Sequence, residues 1–516
     1  MSGFVSIVGA GPWDPELLTL AGRDRLAGAD VVVADYLVNP ALLLHCKAGT
    51  EIVQRMSGPH ADSRIDQDDI HRLLVEHARA GRYVVRIKGG DPCMFGRGAE
   101  EAQYLRAHGI AFELVPGVSS AIAAPESAGI PVTHRDYTPA VTIVSGYEAY
   151  EKAGLAVEWE HLARSAGTIV LMMSMKNCRD NASKLVAAGR SADTPAAVIR
   201  WGTRGIQHTI VGTLLDIADR VDRAKMRAPA VMVVGEVVRC REHMDWFEQL
   251  PLFGRRIVVT RANHQASGLV GLLARQGADV VPFPCLELAA PPDPTAASRA
   301  LVARDRFDGI LLSSPNGVRA CFEALAQANL DVRALAGKLV AVVGTGTSEA
   351  CRQYGLRPDV LPSTARAEGL VNVMREHGLL EKRWLHLRAD EGRDVLARAI
   401  VAAGGDYQLV VAYRTIRPKV PELLLASLGP PERGGERVDA ICFASGKTAR
   451  HMLESLSDAF GRHEAHAIVG HAKTIALGPV TAAAVAALGI SVTAVASEPS
   501  DEGMLRAVMD AFPPPT

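Results

Sequence analysis

Residues 84–101 bring together several side chains that could do chemistry. The segment reads Val-Val-Arg-Ile-Lys-Gly-Gly-Asp-Pro-Cys-Met-Phe-Gly-Arg-Gly-Ala-Glu-Glu. Its apolar run breaks at Gly89-Gly90-Asp91-Pro92, which is typical of a strand that ends in a turn. Paired glycines let the backbone approach a ligand closely, and Asp91 offers a carboxylate acceptor beside them. The segment therefore indicates a ligand-binding corner, although the same pattern fits an ordinary connection between a strand and a helix.

Other polar residues follow strand-like runs in the first half of the chain. Asp35 comes directly after the apolar run Val31–Ala34. Open α/β sheets bind ligands at the carboxyl ends of their strands, so Asp35 is a candidate site residue, with a loop acid or a helix cap as the alternative. Ser119 and Ser120 follow a Pro-Gly turn and stand at a predicted helix start, where hydroxyls suit polar ligand contacts.

Two turns in the second half have the pattern Gly-x-x-Thr after an apolar run, at residues 344–347 and 478–481. Backbone N–H groups at such a helix start can hold an anion, or the glycine and threonine can simply end the strand and cap the helix. The third glycine of a dinucleotide fingerprint is missing, because Asp14 and Glu349 stand in its place after the two Gly-x-Gly turns. A nicotinamide-binding function is therefore not favoured.

Short apolar runs alternate with longer amphipathic patterns along the chain, which predicts an α/β fold. The predicted strands include residues 31–34, 143–144, 169–173, 196–199 and 231–234, and the predicted helices include 66–80 and 178–189. A break in the pattern near 244–255 precedes a new strand at 257–261. We therefore predict two domains, residues 1–248 and residues 253–512.

The second domain contains an internal repeat. Residues 343–350 match residues 477–484 at an offset of 134, and Gly355 pairs with Gly489 at the same offset. Two copies are too few for a solenoid, so the repeat predicts two similar α/β lobes.

The composition narrows the class of protein. The 516 residues include 56 Lys and Arg against 57 Asp and Glu, a net charge of -1, which argues against a nucleic-acid-coating surface but allows a local basic pocket. The eight cysteines form no Cys-x-x-Cys pair, so no metal site is predicted and reduced cytosolic thiols are the default. Without an apolar stretch of about 18 residues or a signal-like start, we expect a cytoplasmic protein with no membrane partner.

Five motifs of the first domain, taken in chain order, resemble the uroporphyrinogen-III C-methyltransferases of the tetrapyrrole methylase family. They are Gly-Ala-Gly-Pro-x-Asp-Pro-Glu-Leu-Leu-Thr (9–19), Val-x-Asp-x-Leu-Val (33–38), Arg-x-Lys-Gly-Gly-Asp-Pro-x-x-Phe-Gly-Arg-Gly (86–98), Val-Pro-Gly-Val-x-Ser (115–120) and Gly-Ile-Pro-x-Thr-His-Arg-Asp (129–136). The resemblance implies two α/β lobes that hold S-adenosylmethionine between them, usually in a homodimer. It also implies methylation of two ring carbons of uroporphyrinogen III to give precorrin-2, the branch point towards sirohaem, cobalamin and related cofactors.

The resemblance assigns roles by position. Methyl transfer from a sulfonium is an in-line displacement, for which positioning and the exclusion of water supply most of the rate. Asp35 matches the proton acceptor, a role that needs a carboxylate in a partly dry cleft. The residues that match the S-adenosylmethionine pocket are Pro12, Gly89, Gly90, Asp91, Met94, Ser119, Ser120, Met173 and Gly202.

The first domain departs from the family pattern at three places. Trp13 stands where the family usually has glycine, and Ser145 and Tyr147 replace the threonine and histidine of its Val-Thr-Gly-His. Arg55 is the nearest match to a lysine regarded as a proton donor. Because arginine stays protonated, Arg55 is expected to bind a substrate carboxylate instead. These changes leave open a different tetrapyrrole specificity.

The second domain resembles uroporphyrinogen-III synthase through looser motifs. They are Ile-Val-Val-Thr-Arg (257–261), Leu-Ser-Ser-Pro-Asn-Gly-Val (312–318), Val-Val-Gly (342–344), Leu-Arg-Ala-Asp-Glu-Gly-Arg-Asp (387–394), Val-Ala-Tyr-Arg-Thr (411–415) and Leu-Gly-Pro-Val-Thr-Ala (477–482). The resemblance implies two lobes joined by a short two-stranded ladder, with the active cleft between them. It implies that hydroxymethylbilane is cyclised with inversion of its last ring and loss of water.

Tyr413 matches the tyrosine thought to assist the departure of the bilane hydroxyl, which a phenol can do by donating a hydrogen bond. The alternative is a tyrosine packed against the hinge between the lobes. Candidate contacts for the carboxylates of this polyanionic substrate, each of which could instead be a cap or a surface group, are Arg261, Ser314, Arg388, Ser445 and Thr481.

The two resemblances support one another, because the product of the synthase is the substrate of the methyltransferase. They predict a bifunctional enzyme with S-adenosylmethionine as its cofactor and small tetrapyrroles as its partners. The alternative is a methylase of different specificity joined to a catalytically silent tetrapyrrole-binding module.

Overall fold

A computed structural model describes residues 3–47, 49–54, 67–147, 157–165, 167–261, 267–364, 366–430 and 435–513. The fold class is α/β, as predicted, with four five-stranded sheets and helices packed against them. Within these residues, no helix is both long enough and apolar enough to cross a membrane.

The strands are β1 Phe4–Gly9, β2 Val31–Ala34, β3 Glu51–Gln54, β4 Tyr83–Lys88, β5 Ala111–Val115, β6 Val141–Ser145, β7 Thr168–Met172, β8 Pro195–Arg200, β9 His208–Thr213, β10 Ala230–Val234, β11 Arg256–Arg261, β12 Asp279–Pro284, β13 Glu287–Ala289, β14 Gly309–Leu312, β15 Leu339–Val342, β16 Arg383–Ala389, β17 Asp406–Ile416, β18 Ala440–Phe443, β19 Lys473–Ala476 and β20 Ala494–Val495.

The α-helices are Leu20–Gly28, Gln67–Arg79, Gly98–Ala107, Ser120–Ser127, Trp159–Arg164, Cys178–Ala187, Ile217–Arg223, Arg241–Met244, Ser267–Arg275, Ala296–Val302, Pro315–Gln327, Thr345–Gln353, Ala367–Glu376, Val395–Ala402, Glu422–Leu428, Gly446–Phe460, Arg462–His471, Pro479–Ala486 and Asp501–Ala511.

The chain divides into two compact units. The first contains Met1–Cys285 together with Val420–Thr516, and the second contains Leu286–Lys419. Three of the four sheets belong to the first unit, because β11 and β12 share a sheet with β18, β19 and β20.

The first sheet has the order β3-β2-β4-β1-β5, and all of its strands are parallel. Its core includes Val5, Ile7 and Val33, against which the helix Gln67–Arg79 packs Ile70 and Leu74. Since parallel strands end on the same side, the loops that follow them all lie along one edge of the sheet.

The second sheet has the order β6-β7-β10-β8-β9 and is mixed, because β10 runs antiparallel to both β7 and β8. The helix Ser120–Ser127, which follows β5 of the first sheet, packs on the second sheet through Ala121 and Ala124. This helix therefore joins the two sheets of the N-terminal region.

The remaining sheets confirm the internal repeat. The order β12-β11-β18-β19-β20 in the first unit resembles β17-β16-β14-β15 in the second, which β13 extends as an antiparallel edge strand. Ser314 after β14 and Ser445 after β18 each cap the helix that follows. Gly355 and Gly489 both adopt positive φ, at 74° and 77°.

Candidate functional site

Glycine-rich backbone fills one edge of the first sheet. A Cβ atom on Gly117 would lie 2.4 Å from the carbonyl oxygen of Gly90 and 2.7 Å from Cα of Gly9. Gly11 and Gly90 exchange backbone hydrogen bonds of 3.2 and 2.7 Å. The loops after β1, β4 and β5 are therefore packed main chain against main chain, as glycine alone permits.

The packing is less tight at Gly90 than at the neighbouring glycines. Gly90 has φ of 70°, and among the described residues other than its two chain neighbours, a Cβ there would find only the amide nitrogen of Ser120 within 4 Å, at 3.8 Å. By contrast, a Cβ on the preceding Gly89 would meet Leu37 at 3.1 Å. The space beside Gly90 and the first turn of the helix Ser120–Ser127 is therefore open to a ligand.

Asp91 braces the loop that carries it. Its Oδ1 accepts hydrogen bonds from the amides of Cys93 at 2.8 Å and Met94 at 3.1 Å, and its Oδ2 accepts one from Gly117 at 3.1 Å. The sequence predicted Asp91 as a pocket residue, and this structural use of its carboxylate could not be foreseen from its position in the motif.

The loop after β8 brings Gly202 and Pro12 to the same edge. A Cβ on Gly202 would lie 2.3 Å from Cβ of Ala124, in the helix that starts at Ser120. Thr203 Oγ1 donates a hydrogen bond of 2.7 Å to the carbonyl oxygen of Pro12. Pro12, Gly90, Ser120 and Gly202 are thus joined through direct neighbours.

Two further predicted pocket residues are Ser119, which caps a helix, and Met173, which is exposed. Ser119 is the N-cap of the helix Ser120–Ser127, and its Oγ accepts a hydrogen bond of 3.2 Å from the amide of Ala121. Met173 follows β7 with φ of 55°, and 42% of it is exposed.

Backbone strain is concentrated in these loops. Of eight non-glycine residues with positive φ in the described ranges, six lie in the loops after β1, β4, β7 and β8: Trp13, Phe95, Arg97, Met173, Trp201 and Thr203. Each such conformation costs on the order of 1–3 kcal/mol and persists where the surroundings enforce it, most often at functional sites. This signal is independent of the motifs.

Asp35 lies beside a buried cluster of charges. Arg86 on β4 is fully buried, and its Nη2 donates a hydrogen bond of 2.6 Å to Asp35 Oδ1. Asp35 Oδ2 lies 3.8 Å from Lys88 Nζ and accepts no hydrogen bond from any residue within the described ranges. The Asp35 side chain is 19% exposed, so one oxygen is anchored and the other remains available to a reactant.

Lys88 and Glu101 complete this cluster and were not predicted. Lys88 Nζ donates a hydrogen bond of 2.8 Å to Glu101 Oε1, and Arg86 Nε donates to the same oxygen at 3.3 Å. Burial, and next the charge of Arg86, lower the pKa of Lys88. The sequence showed these residues in the segment 84–101, but not that their side chains turn into the interior.

In the second unit, Tyr413 and Ser314 lie in contact. The Tyr413 phenol oxygen is 2.8 Å from Ser314 Oγ, which also accepts a hydrogen bond of 3.0 Å from the amide of Gly317. Burial raises the pKa of Tyr413, so its phenol stays protonated and can donate. Ser314 therefore fulfils its alternative role as a cap while it contacts the candidate catalytic tyrosine.

Arg388 lies near this pair and has unused hydrogen-bonding capacity. Its side chain is 9% exposed, Nη2 donates to Asp394 at 3.0 Å, and the buried Nε has no partner within the described ranges. His386, which was not predicted, bonds Tyr407 at 2.7 Å and Ser313 at 3.1 Å. Burial lowers the pKa of His386 to about 3, so this histidine is neutral.

The other predicted substrate contacts are placed as follows. Ser445 caps the helix Gly446–Phe460 in a reciprocal pair with Thr448. Thr481 is buried in the helix Pro479–Ala486, and Arg261 is the last residue of β11. Arg55 and the side chain of Arg261 lie outside the described residues.

Two family models match the chain in succession. The model "Tetrapyrrole (Corrin/Porphyrin) Methylases" matches residues 5–218. The model "Uroporphyrinogen-III synthase HemD" matches residues 267–506.

Relatives match both regions at once. The chain is 36% identical over 360 residues to the porphyrin biosynthesis protein HemD of Ruminiclostridium josui, covering 70% of this chain and 71% of the relative. It is 38% identical over 340 residues to the uroporphyrinogen-III C-methyltransferase of Bacillus subtilis (strain 168), covering 66% and 69%. The chain belongs to the tetrapyrrole methylase family, with a uroporphyrinogen-III synthase domain in its second half. We call residues 1–248 the methylase half and residues 253–512 the synthase half.

The methylase half also matches single-domain proteins. It is similar to the S-adenosyl-L-methionine-dependent uroporphyrinogen III methyltransferase of Methanosarcina barkeri, at 46% identity over 242 residues, 46% of this chain and 94% of the relative. Among solved structures, the uroporphyrin-III C-methyl transferase of Thermus thermophilus, complexed with S-adenyl homocysteine, is 36% identical over 46% of this chain and 99% of that chain, with a TM-score of 0.39.

Proposed function

We propose that the protein is a bifunctional tetrapyrrole enzyme whose two halves act in sequence. The synthase half closes hydroxymethylbilane to uroporphyrinogen III, and the methylase half then methylates two ring carbons to give precorrin-2. The observation that carries this proposal is the succession of two family matches on one chain, since one activity makes the substrate of the other. Tethering the two raises the effective concentration of the intermediate.

The edge of the first sheet fits S-adenosylmethionine as the methyl donor. The donor needs a glycine-lined space next to main-chain hydrogen-bonding groups, and the opening at Gly90 beside the Ser120 amide provides it. Pro12, Gly89, Gly90, Ser119, Ser120 and Gly202 would hold the donor, with Asp91 fixing the loop, and Met94 and Met173 would add apolar contacts. When bound, S-adenosylmethionine supplies an electrophilic methyl group.

Asp35 is proposed to accept the proton that leaves the substrate ring. Its Oδ1 is held by Arg86, while Oδ2 accepts no hydrogen bond within the described part of the chain. A carboxylate fixed at one oxygen and available at the other suits general-base catalysis. Arg55 is proposed to bind one of the substrate carboxylates.

Tyr413 is proposed to donate a hydrogen bond to the departing hydroxyl of the bilane. Its raised pKa keeps the phenol protonated, and Ser314 fixes its oxygen at 2.8 Å. Arg388 offers a substrate carboxylate its buried Nε, which has no hydrogen-bond partner among the residues that the structure describes. Arg261, Ser445 and Thr481 are proposed as further contacts. We also propose a cytoplasmic location and a homodimer formed through the methylase half.

The methylase proposal is tested with purified protein, uroporphyrinogen III and S-adenosylmethionine. The expected product carries two added methyl groups. A product with another number of methyl groups, or activity only on a different macrocycle, would indicate a different specificity of this half and contradict the proposal.

The synthase proposal is tested by the ratio of type III to spontaneously formed type I isomer from hydroxymethylbilane. The wild type is expected to give type III, and Tyr413→Phe to slow its formation by about 100-fold through loss of the phenol donor. Tyr354→Phe is the matched control, because Tyr354 stacks on Phe322 and is 41% exposed. Type I alone from the wild type would indicate a silent binding module.

A further inference from the structure

Trp13, one of the residues that depart from the family pattern, packs together with Trp201 against the guanidinium of Arg204. The guanidinium carbon of Arg204 is 4.5 Å from the centroid of the Trp13 ring and 4.8 Å from that of Trp201. The two indoles meet edge to face with centroids 5.7 Å apart. A guanidinium over an indole is a favourable cation–π contact, and here it occurs twice.

The same guanidinium reaches the synthase half. Arg204 Nε donates a hydrogen bond of 2.7 Å to Asp279 Oδ1, and Nη2 donates to Oδ2 at 3.1 Å and to Glu436 at 2.9 Å. Asp279 is the first residue of β12, and its side chain is 1% exposed against 6% for Arg204. A two-point ion pair in such a dry place is strong. Arg256 Nη1 also lies 3.3 Å from Asp279 Oδ2, and Glu436 pairs with both arginines. The loss of Arg204 or Asp279 therefore unbalances the charge of a buried cluster rather than leaving one isolated charge.

The two indoles that contact Arg204 lie next to residues of the proposed methyl-donor site. Trp13 has φ of 107° and Trp201 has φ of 52°, so both rings stand on backbone that the surroundings must hold in place. Trp13 directly follows Pro12, and Trp201 directly precedes Gly202. A change at Asp279 can therefore reach both proposed donor-binding residues through Arg204 and the two indoles.

We propose that Arg204 and Asp279 are positioning residues. Through them, the synthase half holds the loops that carry Pro12 and Gly202 in the conformation that binds the methyl donor. This inference rests on the proposed function of the methylase half. It assigns a role to the tryptophan that replaces the usual glycine: Trp13 links the donor loop to the fused domain.

Other contacts also join the two halves, so the ion pair is not needed merely to hold them together. Gly254 donates a backbone hydrogen bond of 2.8 Å to the carbonyl oxygen of Gly205, and Leu44 packs against a core cluster of the synthase half that includes Leu269. Glu16 pairs with Arg275 at the surface, where both side chains are about half exposed. None of these three contacts includes Trp13 or Trp201.

The test uses the full-length variants Arg204→Met and Asp279→Asn. Calorimetric titration is expected to show that each variant binds S-adenosylmethionine about 10-fold more weakly than the wild type. The KM for S-adenosylmethionine is expected to rise by the same factor, while kcat stays within about twofold of the wild-type value. The double variant is expected to lose about 10-fold rather than 100-fold, because both residues act through one contact. Arg275→Met, which breaks the exposed pair with Glu16, is the control and is expected to change affinity by less than about twofold.

The possible outcomes distinguish a failure of the proposed function from a failure of this inference. A wild type that binds no S-adenosylmethionine would overturn the proposed function and this inference together. A wild type that binds it, with both variants binding equally well, would overturn the inference alone. Type III isomer formation by each variant reports folding; if it falls in proportion to donor affinity, the pair is only structural and the inference is wrong. If Arg204→Met does not fold, Arg204→Lys decides, because lysine keeps the charge but loses the planar two-point contact and is expected to weaken donor binding as well.

Discussion

Asp35 illustrates how neighbouring charges can prepare one carboxylate for proton transfer. Two cations, Arg86 and Lys88, face two anions, Asp35 and Glu101, in a region where three of the four side chains are at most 4% exposed. Burying charges is costly unless they are paired, so this cluster is held as a unit. Asp35 is its most exposed member and therefore the one that a substrate can reach.

Asp35→Asn is expected to lower kcat for methylation by about 100-fold or more, because the amide keeps a hydrogen bond to Arg86 but cannot accept the proton. The dissociation constant for S-adenosylmethionine is expected to stay within about threefold of the wild-type value, since Asp35 is not proposed to contact it. Steady-state kinetics and calorimetric titration measure the two quantities. Asp219→Asn, on the exposed surface of the helix Ile217–Arg223 and outside every motif, is the control. An unchanged kcat in Asp35→Asn would rule out the acceptor role.

His386 makes stability depend on pH. Its folded pKa of about 3 lies below the value of 6.5 for an unperturbed histidine, so below pH 6.5 the unfolded chain binds a proton that the folded chain does not. The stability that neutral His386 contributes is present above pH 6.5 and declines as the pH falls towards 3. Relative to His386→Gln, the wild type is expected to lose about 2 kcal/mol between pH 6.5 and pH 5.

Denaturant unfolding of both proteins across this pH range measures the difference in their free energies of unfolding. Glutamine does not titrate, so groups other than His386 cancel in the comparison. A difference that stays constant from pH 8 to pH 5 would show that His386 takes up a proton in the folded protein.

At the scale of residues, the sequence predicted which loops lie together better than it predicted where their side chains point. Pro12, Gly90, Ser120 and Gly202, which the resemblance assigns to one pocket, are linked through direct neighbours in the structure, and their role in holding the methyl donor stays a prediction. The hydrogen bonds that the Asp91 carboxylate accepts from neighbouring backbone amides and the burial of Lys88 could not be predicted, because a motif does not show which way a side chain turns.

At the scale of elements, the site depends on parallel strands that end at one edge. The loops after β1, β4 and β5 meet through Gly9, Gly90 and Gly117, and the helix that starts at Ser120 connects them to the second sheet. The close approach of main chain to main chain is what leaves a defined space at Gly90. Glycine at position 117 is therefore required by packing as well as by the motif.

Gly117→Ala is expected to destabilise the protein by about 1–3 kcal/mol and to weaken binding of S-adenosylmethionine, because its Cβ would meet backbone atoms that must shift. Gly346→Ala is the matched control. Apart from its chain neighbours and the backbone of its own helix, no atom of the described residues would lie within 4 Å of the added Cβ, and alanine in the helix Thr345–Gln353 is favourable. Chemical unfolding and calorimetric titration give both quantities. Equal stability of the two variants would mean that the three loops are not tightly packed.

Most elements could be predicted from periodicity. The strands at 31–34, 169–173, 196–199 and 231–234 and the helices at 66–80 and 178–189 are present with ends shifted by at most a few residues. Pro15 stands where a proline commonly marks the first turn of a helix, but the chain forms only a short 3₁₀ turn there, Pro15–Leu17, and the α-helix begins at Leu20 after the N-cap Thr19. The extended conformation of Leu18 separates the two, a local feature that no periodic pattern encodes.

At the scale of the whole molecule, the methylase half and the sheet of β11, β12 and β18–β20 belong to one compact unit. The contact of Arg204 with Asp279 is part of this association. It could not be predicted, because the two residues are 75 positions apart and neither belongs to one of the motifs. The repeat did predict the two lobes of the synthase half. The bounds 1–248 and 253–512 remain a prediction about evolutionary domains.

The central claim is that one chain carries two successive activities. The most direct test is a coupled reaction in which the purified protein receives hydroxymethylbilane and S-adenosylmethionine and the products are analysed for isomer type and methyl count. We expect a type III macrocycle with two added methyl groups, and unmethylated uroporphyrinogen III when Asp35→Asn replaces the wild type. Unmethylated type I uroporphyrinogen as the only product of the wild type would contradict the account.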